Sequence, residues 1–192
     1  MSDHGLADAP DEALLRLYAN GDPGAARELA RRLLPRTLAY ARRMLGDASE
    51  AEDVSQEAMI RRWKQAPDWR EGEAKVSTWM WRVVANLCTD RLRRRRMTGL
   101  DDAPEVEDEA PSVLQTMVQA DRAAALEEAL ASLPDRQRQA VVLRHLEGLA
   151  NPEIAEIMQI GVEAVESLTA RGKRALAARL AGRREELGHD DE

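Results

Sequence analysis

The chain has 192 residues, 44% of them apolar, with no phenylalanine and a formal net charge of −7. Enough apolar residues are present for one or two folded domains, and the abundance of alanine, leucine, arginine and glutamate favours an all-α fold over a sheet. No signal-peptide pattern and no apolar run of membrane-spanning length occur, so we expect a cytoplasmic protein without membrane insertion.

The negative net charge conceals two basic blocks. Residues 61–97 hold 11 basic and 4 acidic side chains (+7), and residues 165–184 hold 6 and 1 (+5). Residues 98–134 hold 1 and 9 (−8). Because phosphate binding depends on the local field and not on the total charge, we expect two separate DNA-contacting surfaces.

The N-terminal residues predict two helices after a short polar tail. Residues 1–10 are small, polar and acidic, and we expect them to be disordered. A first helix is predicted from about residue 11 to residue 20. A second helix begins after Asp22 and ends at Gly46, and Pro35 inside it is expected to kink or split it.

A third helix is predicted to end at Pro67. Ser49 and Glu52 have the spacing of a capping box at its start. One of its faces, distinct from the apolar one, carries a row of mainly acid and amide side chains: Asp53, Gln56, Glu57 and Ile60. A row of this kind is most often a solvated surface.

Segment 77–97 is predicted to be a helix with two different faces, preceded by a loop at residues 67–76. One face is apolar and includes Met80, Val84 and Cys88. The opposite face is a polar track formed by Arg82, Asn86, Thr89, Arg93 and Arg96, with Trp79 at its edge. Cationic and flat side chains suit single-stranded DNA, although core tryptophans and a solvated helix end fit the pattern equally well.

Residues 98–111 contain six acids, two prolines and no basic side chain. Such a segment cannot bury a core, so we expect an acidic, flexible linker between domains at residues 11–97 and 112–184. The two domains are expected to fold independently, and residues 185–192 are expected to form an acidic tail.

The C-terminal half predicts a helix-turn-helix. Residues 112–131 are predicted to be helical, a further helix opens at Pro134, and Asn151 is expected to cap a helix of two turns. The tripeptide Gln159-Ile160-Gly161 then turns into a longer, basic helix. In a helix-turn-helix the second helix enters the major groove of duplex DNA, but many αα-hairpins share this pattern.

The sequence carries no signature of catalysis. Its single cysteine, Cys88, lies on the apolar face of segment 77–97 and is expected to be buried. His4, His145 and His189 lie far apart, and none has the spacing of metal ligands. We therefore expect no catalytic residue, metal, cofactor or small-molecule substrate.

Two helical, basic blocks joined by an acidic linker resemble the extracytoplasmic-function sigma factors, a group of small sigma subunits of bacterial RNA polymerase. EAEDVSQEAMIRRW is similar to the family's motif that docks on the clamp of the polymerase β′ subunit. GEAKVSTWMWRVVANLCTDRLRRRR resembles the segment that melts and reads the minus-ten promoter element. LPDRQRQAVVLRHLEGLANPEIAEIMQIGVEAVESLTARGKRAL resembles the domain that reads the minus-thirty-five element. The resemblance implies a sigma-two helical bundle followed by a sigma-four helix-turn-helix.

The resemblance also implies roles for individual residues. Binding to core polymerase is expected of the docking row Asp53, Gln56, Glu57 and Ile60. Contacts with the minus-ten element are expected of Glu71, Gly72, Lys75, Trp79, Arg82, Asn86 and Arg93. Contacts with the minus-thirty-five element are expected of Glu163, Ala164, Glu166, Ser167, Arg171, Lys173 and Arg174. The partners implied are core RNA polymerase, through its β′ clamp and β flap, promoter DNA and an anti-sigma factor.

Two points stay open. The basic C-terminal helix has Glu166 and Leu168 where many family members carry Lys and Arg, so no promoter sequence is predicted. The alternative function is a helix-turn-helix regulator that binds duplex DNA without polymerase. That alternative leaves Arg82 and Asn86 without a role.

Overall fold

The computed structural model describes residues 6–69, 75–99 and 114–187, and for residues 114–122 and 182–187 it describes the backbone alone. Within these ranges the chain is helical without a β-strand, as predicted, and none of the described helices is both long and apolar enough to cross a membrane. The N-terminal block comprises α1 (Asp11–Ala19), α2 (Pro23–Leu45), α3 (Ala48–Gln65), a 3-10 turn (Ala66–Asp68) and α4 (Val76–Thr98). The C-terminal block comprises α5 (Leu114–Ala131), α6 (Asp135–Val141), a π-helical turn (Val142–Leu146), α7 (Asn151–Met158) and α8 (Val162–Leu187).

Residues 6–10 are packed against α2 rather than disordered. Leu6 is buried, and the guanidinium of Arg32 donates hydrogen bonds to the carbonyl oxygens of Leu6, Ala7 and Ala9 at 3.0, 2.7 and 2.8 Å. The disorder expected of the N-terminus therefore does not extend to these residues.

Helix α2 is continuous through its proline. It begins after Asp22, whose carboxylate accepts a hydrogen bond from Gly24 N at 2.8 Å, and it ends at Gly46, which has a φ of 64°. Pro35 lies inside the helix, so of the two expected outcomes, a kink or a split, the split is wrong. Buried side chains on both sides of the proline hold the two halves against the core, which offsets the one hydrogen bond that proline removes.

Helix α3 starts at a different cap from the predicted one. The carboxylate of Asp47 accepts a hydrogen bond from Glu50 N at 2.8 Å, so Asp47 is the cap and Ser49 lies inside the helix. Because Gly46 has already ended α2, Asp47 is extended and the next helix begins at once. The predicted capping box of Ser49 and Glu52 is therefore wrong.

Helix α4 packs its apolar face against α2 and α3. Its buried side chains include Met80, Trp81, Val84, Leu87 and Cys88, as the pattern predicted. Burial raises the pKa of the Cys88 thiol to about 12, so this thiol is protonated at neutral pH and packs as a small apolar group.

The aromatic side chains all lie in the N-terminal block. The rings of Tyr18 and Trp63 join α1 to α3 with centroids 4.6 Å apart. Tyr40 meets Trp81 edge-on at 5.6 Å and joins α2 to α4. The other two rings, Trp69 and Trp79, both contact a buried arginine described below.

The C-terminal block contains the predicted helix-turn-helix. Helix α7 ends at Gln159, whose φ of 54° turns the chain into α8. Asn151 is the first residue of α7 rather than its cap, since the cap position is Ala150. Helix α8 crosses α6 so closely at Gly172 that a β-carbon there would lie 2.6 Å from Val141 Cγ2.

The two blocks are in contact. Arg138 of α6 is buried and donates a hydrogen bond to the carbonyl oxygen of Met44 in α2 at 2.6 Å. The carboxylate of Glu147 lies 3.5 Å from Arg36 and 3.3 Å from Arg43. Burial raises the pKa of Glu147, and the two arginines oppose this effect. These contacts hold the π-helical end of α6 against the middle and the end of α2.

Candidate nucleic-acid interface

The docking row lies on the solvent side of α3. Asp53, Gln56 and Ile60 are exposed and Glu57 is half-buried, while Val54 and Ala58 face the core. Helical spacing therefore brings all four members of the row onto one surface, as predicted from the sequence. The carboxylate of Asp53 lies 3.9 Å from Arg91 of α4, and that of Glu57 lies 2.6 Å from Arg61. Both carboxylates of the row are therefore ion-paired within the protein, whereas the amide of Gln56 is exposed to solvent.

The polar track on α4 is only partly available to a ligand. Asn86 is exposed and Arg82 is half-buried. The Thr89 hydroxyl donates a hydrogen bond to the carbonyl oxygen of Ala85 at 2.9 Å, so its hydrogen is already bound within α4. Arg93 is exposed and lies 3.1 Å from Asp90. A ligand on this face would therefore meet one amide and two guanidinium groups.

The last member of the track is engaged by the other block. Arg96 pairs with Asp135, at the start of α6, with 3.0 Å between Nη1 and Oδ2. Arg95 contacts the N-terminal block instead. It donates a hydrogen bond to the carbonyl oxygen of Leu45 at 2.8 Å and pairs with Glu50 at 3.0 Å. Three of the four arginines at residues 93–96 therefore have carboxylate partners among the residues that the structure describes.

The start of α4 carries the remaining expected minus-ten residues. Lys75 immediately precedes the helix, is exposed, and lies 3.9 Å from Glu153 of α7. Trp79 is half-buried with its ring against Arg62. Glu71 and Gly72 lie outside the described residues.

Helix α8 presents its expected contact residues together. Seven side chains are exposed on one side of it: Glu163, Ala164, Glu166, Ser167, Arg171, Lys173 and Arg174. The opposite side packs through the buried Val165 and Gly172. From Glu163 to Arg174 this exposed side is about 16 Å long at roughly 1.5 Å per residue. That length suits the insertion of a helix into the major groove.

The acids on α8 alter its electrostatic character. Glu166 Oε1 accepts a weak hydrogen bond from the amide of Asn151 at 3.5 Å, which ties the start of α8 to α7. His145 adds no positive charge at neutral pH, because burial and the nearby charges of Lys173 and Arg144 lower its pKa. The cationic part of the face is therefore confined to residues 171–174.

Two buried arginines were not predicted from the sequence. Arg62 follows Val54 and Ala58 at four-residue steps, so its position in an apolar stripe was the available signal. Arg138 bridges the two blocks, and its role depends on a contact between residues 94 positions apart. No cluster of His, Cys, Asp and Glu within the described residues is arranged to hold a metal ion.

Two family models match this chain. Residues 29–98 match Sigma-70 region 2, and residues 123–176 match Sigma-70 region 4. The first range contains the docking row and the polar track, and the second contains the helix-turn-helix.

Curated relatives match over most of their length. The ECF RNA polymerase sigma factor SigM of Mycobacterium tuberculosis (strain ATCC 25618 / H37Rv) is 35% identical over 178 residues, which cover 93% of this chain and 88% of the relative. The ECF RNA polymerase sigma factor SigW of Bacillus subtilis (strain 168) is 33% identical over 149 residues, with 72% and 79% covered.

Solved structures share the fold. CnrH, solved in complex with the cytosolic domain of CnrY, matches with a TM-score of 0.67 and 25% identity, over 90% of this chain and 97% of that one. The sigma factor RpoE of Bartonella quintana, solved with the anti-sigma factor NepR, matches with a TM-score of 0.64 and 21% identity, over 81% and 96%.

Proposed function

The chain belongs to the extracytoplasmic-function sigma factors, which bind core RNA polymerase and direct promoter-specific initiation, and we propose that it does so through three separate surfaces. The docking row on α3 binds the polymerase clamp. The face of α4 around Arg82 and Asn86 contacts the separated minus-ten strand, and the exposed face of α8 contacts the minus-thirty-five duplex.

The observation that carries this proposal is the placement of cations that are exposed or half-buried on two different helices. Arg82 and Arg93 lie on α4 in the N-terminal block, whereas Arg171, Lys173 and Arg174 lie on α8 in the C-terminal block. A duplex-binding regulator would need only the second group. A sigma factor needs both, because it contacts two promoter elements that lie apart on the DNA.

The acids on α8 also bear on specificity. Glu163 and Glu166 are exposed beside the basic residues, and a carboxylate accepts a hydrogen bond from the N4 amino group of cytosine. We therefore propose that α8 combines phosphate contacts by residues 171–174 with base contacts nearer its start.

Control by an anti-sigma factor is part of the proposal. CnrH was solved with the cytosolic domain of CnrY, and the Bartonella RpoE with the anti-sigma factor NepR. We propose that an anti-sigma factor likewise covers the polymerase-binding surface of this chain. We also propose that the chain acts in the cytoplasm, where polymerase and promoters are found.

The proposed roles of α4 and α8 are tested by two sets of substitutions in reconstituted holoenzyme. Arg82→Ala with Asn86→Ala should leave closed-complex formation nearly intact and reduce strand opening. Each lost base contact is worth about 1–3 kcal/mol, which corresponds to roughly 5- to 150-fold in the extent of opening. Permanganate reactivity of unpaired thymines near the start site measures this step.

The matched comparison is the neutralised α8 helix, in which Arg171, Lys173 and Arg174 are each changed to Ala. This variant should bind the duplex promoter less tightly. The slope of log affinity against log salt concentration should also become shallower by about one for each lost phosphate contact. If the α4 variant opens promoters normally, α4 is scaffold and its proposed role is wrong.

A further inference from the structure

Arg62 is a charged side chain in the interior of the N-terminal block. It lies on the core side of α3 and is 0% exposed. Its three guanidinium nitrogens donate to no acceptor within the described part of the chain. The guanidinium carbon lies 4.6 Å from the centre of the Trp69 ring and 4.8 Å from that of the Trp79 ring. Two indoles therefore take the place that a carboxylate usually has beside a buried arginine.

The guanidinium of Arg62 stays charged although removing it from water costs free energy. Burial lowers the pKa of Arg62 to about 10, while the charges of Glu12 and Asp11 oppose the shift, so the side chain is protonated at neutral pH. An apolar side chain of similar volume would avoid the desolvation cost altogether. Indoles attract a cation through their ring faces, most strongly when water is excluded. Stability alone therefore does not account for an arginine at this position.

The two rings belong to the two ends of one segment. Trp69 follows the 3-10 turn that ends α3, and Trp79 lies in the first turn of α4. Residues 70–78 lie between them in the sequence. Arg62 itself is two residues beyond Ile60 of the docking row. One guanidinium thus connects the polymerase-docking helix with both ends of the segment that leads into α4.

A second contact holds the start of α4. The carboxylate of Glu12 in α1 accepts a hydrogen bond from Val76 N at 3.3 Å, at the first residue of α4. This bond sets where α4 begins, and the Arg62 contact sets the direction of its first turn. Arg82 follows Trp79 by three residues, so the orientation of that turn determines where the polar track starts.

We propose that Arg62 is a positioning residue for promoter opening, which holds Trp69 and Trp79 so that the start of α4 meets the minus-ten strand in one orientation. Because its side chain is fully buried, it acts through the two tryptophans and does not touch DNA. The inference rests on the proposed function of α4.

The test compares Arg62→Lys and Arg62→Met with the wild-type chain in reconstituted holoenzyme. Lysine keeps a cation between the two rings, whereas methionine keeps much of the volume without the charge. We expect Arg62→Met to reduce strand opening about tenfold, since cation contacts with two desolvated indoles are lost. Arg62→Lys should fall between Met and wild type. Core affinity should change less than about twofold in both, because the docking row itself is unaltered. Arg27→Met, at an exposed position on α2, is the control for the same chemical change.

A promoter with an unpaired minus-ten region separates positioning from general damage. On this premelted DNA the defect of Arg62→Met should become several-fold smaller, because the cost of unpairing has been removed and only the weakened contact with the strand remains. If the defect is equally large on paired and premelted DNA, or if methionine supports opening as well as lysine does, Arg62 is ordinary core packing and the inference is overturned. The Arg82→Ala, Asn86→Ala variant is measured in parallel. Normal opening by that variant would reject the proposed role of α4, whereas its failure beside normal opening by Arg62→Met would reject only the role of Arg62.

Discussion

Neighbouring arginines at the end of α4 have different environments. Arg95 binds the carbonyl oxygen of Leu45, which is the last residue of α2, and pairs with Glu50 near the start of α3. Arg94, one residue earlier, is exposed. A cation at a helix C-terminus binds carbonyl oxygens that have no partner within the helix, so Arg95 stabilises the fold and Arg94 is free for other contacts.

Arg95→Ala should therefore destabilise the chain, whereas Arg94→Ala should not. Hydrogen bonds from charged donors contribute about 1.5–3 kcal/mol, so we expect Arg95→Ala to lower the free energy of unfolding by about 2 kcal/mol. Arg94→Ala should stay within about 0.5 kcal/mol of the wild type. Urea denaturation followed by far-UV circular dichroism measures both. Equal stability of the two variants would show that the contact with Leu45 contributes little.

Helix boundaries show which parts of the structure follow from local sequence. Asp22, Gly46 and the turn at Gln159 were predicted, because caps and left-handed positions depend on neighbouring residues. The cap at Asp47 was missed, since two plausible caps lie two residues apart and only the end of the preceding helix decides between them. The continuity of α2 through Pro35 depends on tertiary packing, which propensity does not include.

For the surfaces too, local sequence determines some features and long-range contacts determine others. Periodicity was enough to place the docking row on an exposed face, because side-chain direction on a helix is fixed by spacing, whereas the contact residues of α8 were expected from the family resemblance. It could not show that Arg96 pairs with Asp135, which is distant in sequence. Nor could it show that Arg62 contacts the faces of two indoles that are ten positions apart in the sequence. Long-range pairing of charged groups was the part that sequence alone left undecided.

Helix α3 separates its core face from its docking face, so the two can be changed independently. Asp53→Ala with Gln56→Ala should weaken binding to core polymerase and leave helix content unchanged. Exposed charges contribute modestly, so the double change should cost on the order of 1–3 kcal/mol of binding free energy. A titration against core enzyme measures it, with Asp8→Ala as the control at an exposed acid outside the row. Wild-type affinity of the double variant would reject the docking assignment.

At the scale of the whole molecule, polar side chains join the two blocks. Glu147 has a side chain only 6% exposed between Arg36 and Arg43, and Arg138 connects α6 to the end of α2. A further pair between the blocks joins Arg96 of α4 to Asp135 of α6. Independent folding of the two domains remains a prediction, since contact between the blocks does not determine whether either one folds alone.

Glu147→Arg should separate the blocks. A third guanidinium would then face Arg36 and Arg43 in a poorly solvated site, where like charges repel strongly. Small-angle X-ray scattering should show a radius of gyration larger by several Å than that of the wild type, for which a compact chain of this length predicts roughly 16 Å. Glu156→Arg, at an exposed position of α7, controls for the change in net charge. An unchanged radius would mean that other contacts hold the blocks together.

The position of the aromatic rings has a spectroscopic consequence. All four tryptophans and both tyrosines lie between residues 18 and 81, so intrinsic fluorescence and near-ultraviolet absorption arise entirely from the N-terminal block. The helix-turn-helix block contains no intrinsic chromophore of this kind and contributes only to the far-ultraviolet signal of its helices. A tryptophan emission curve recorded during denaturation therefore follows the N-terminal block alone. Its midpoint equals that of the whole chain only if the bridging contacts of Arg138 and Glu147 make the two blocks unfold together.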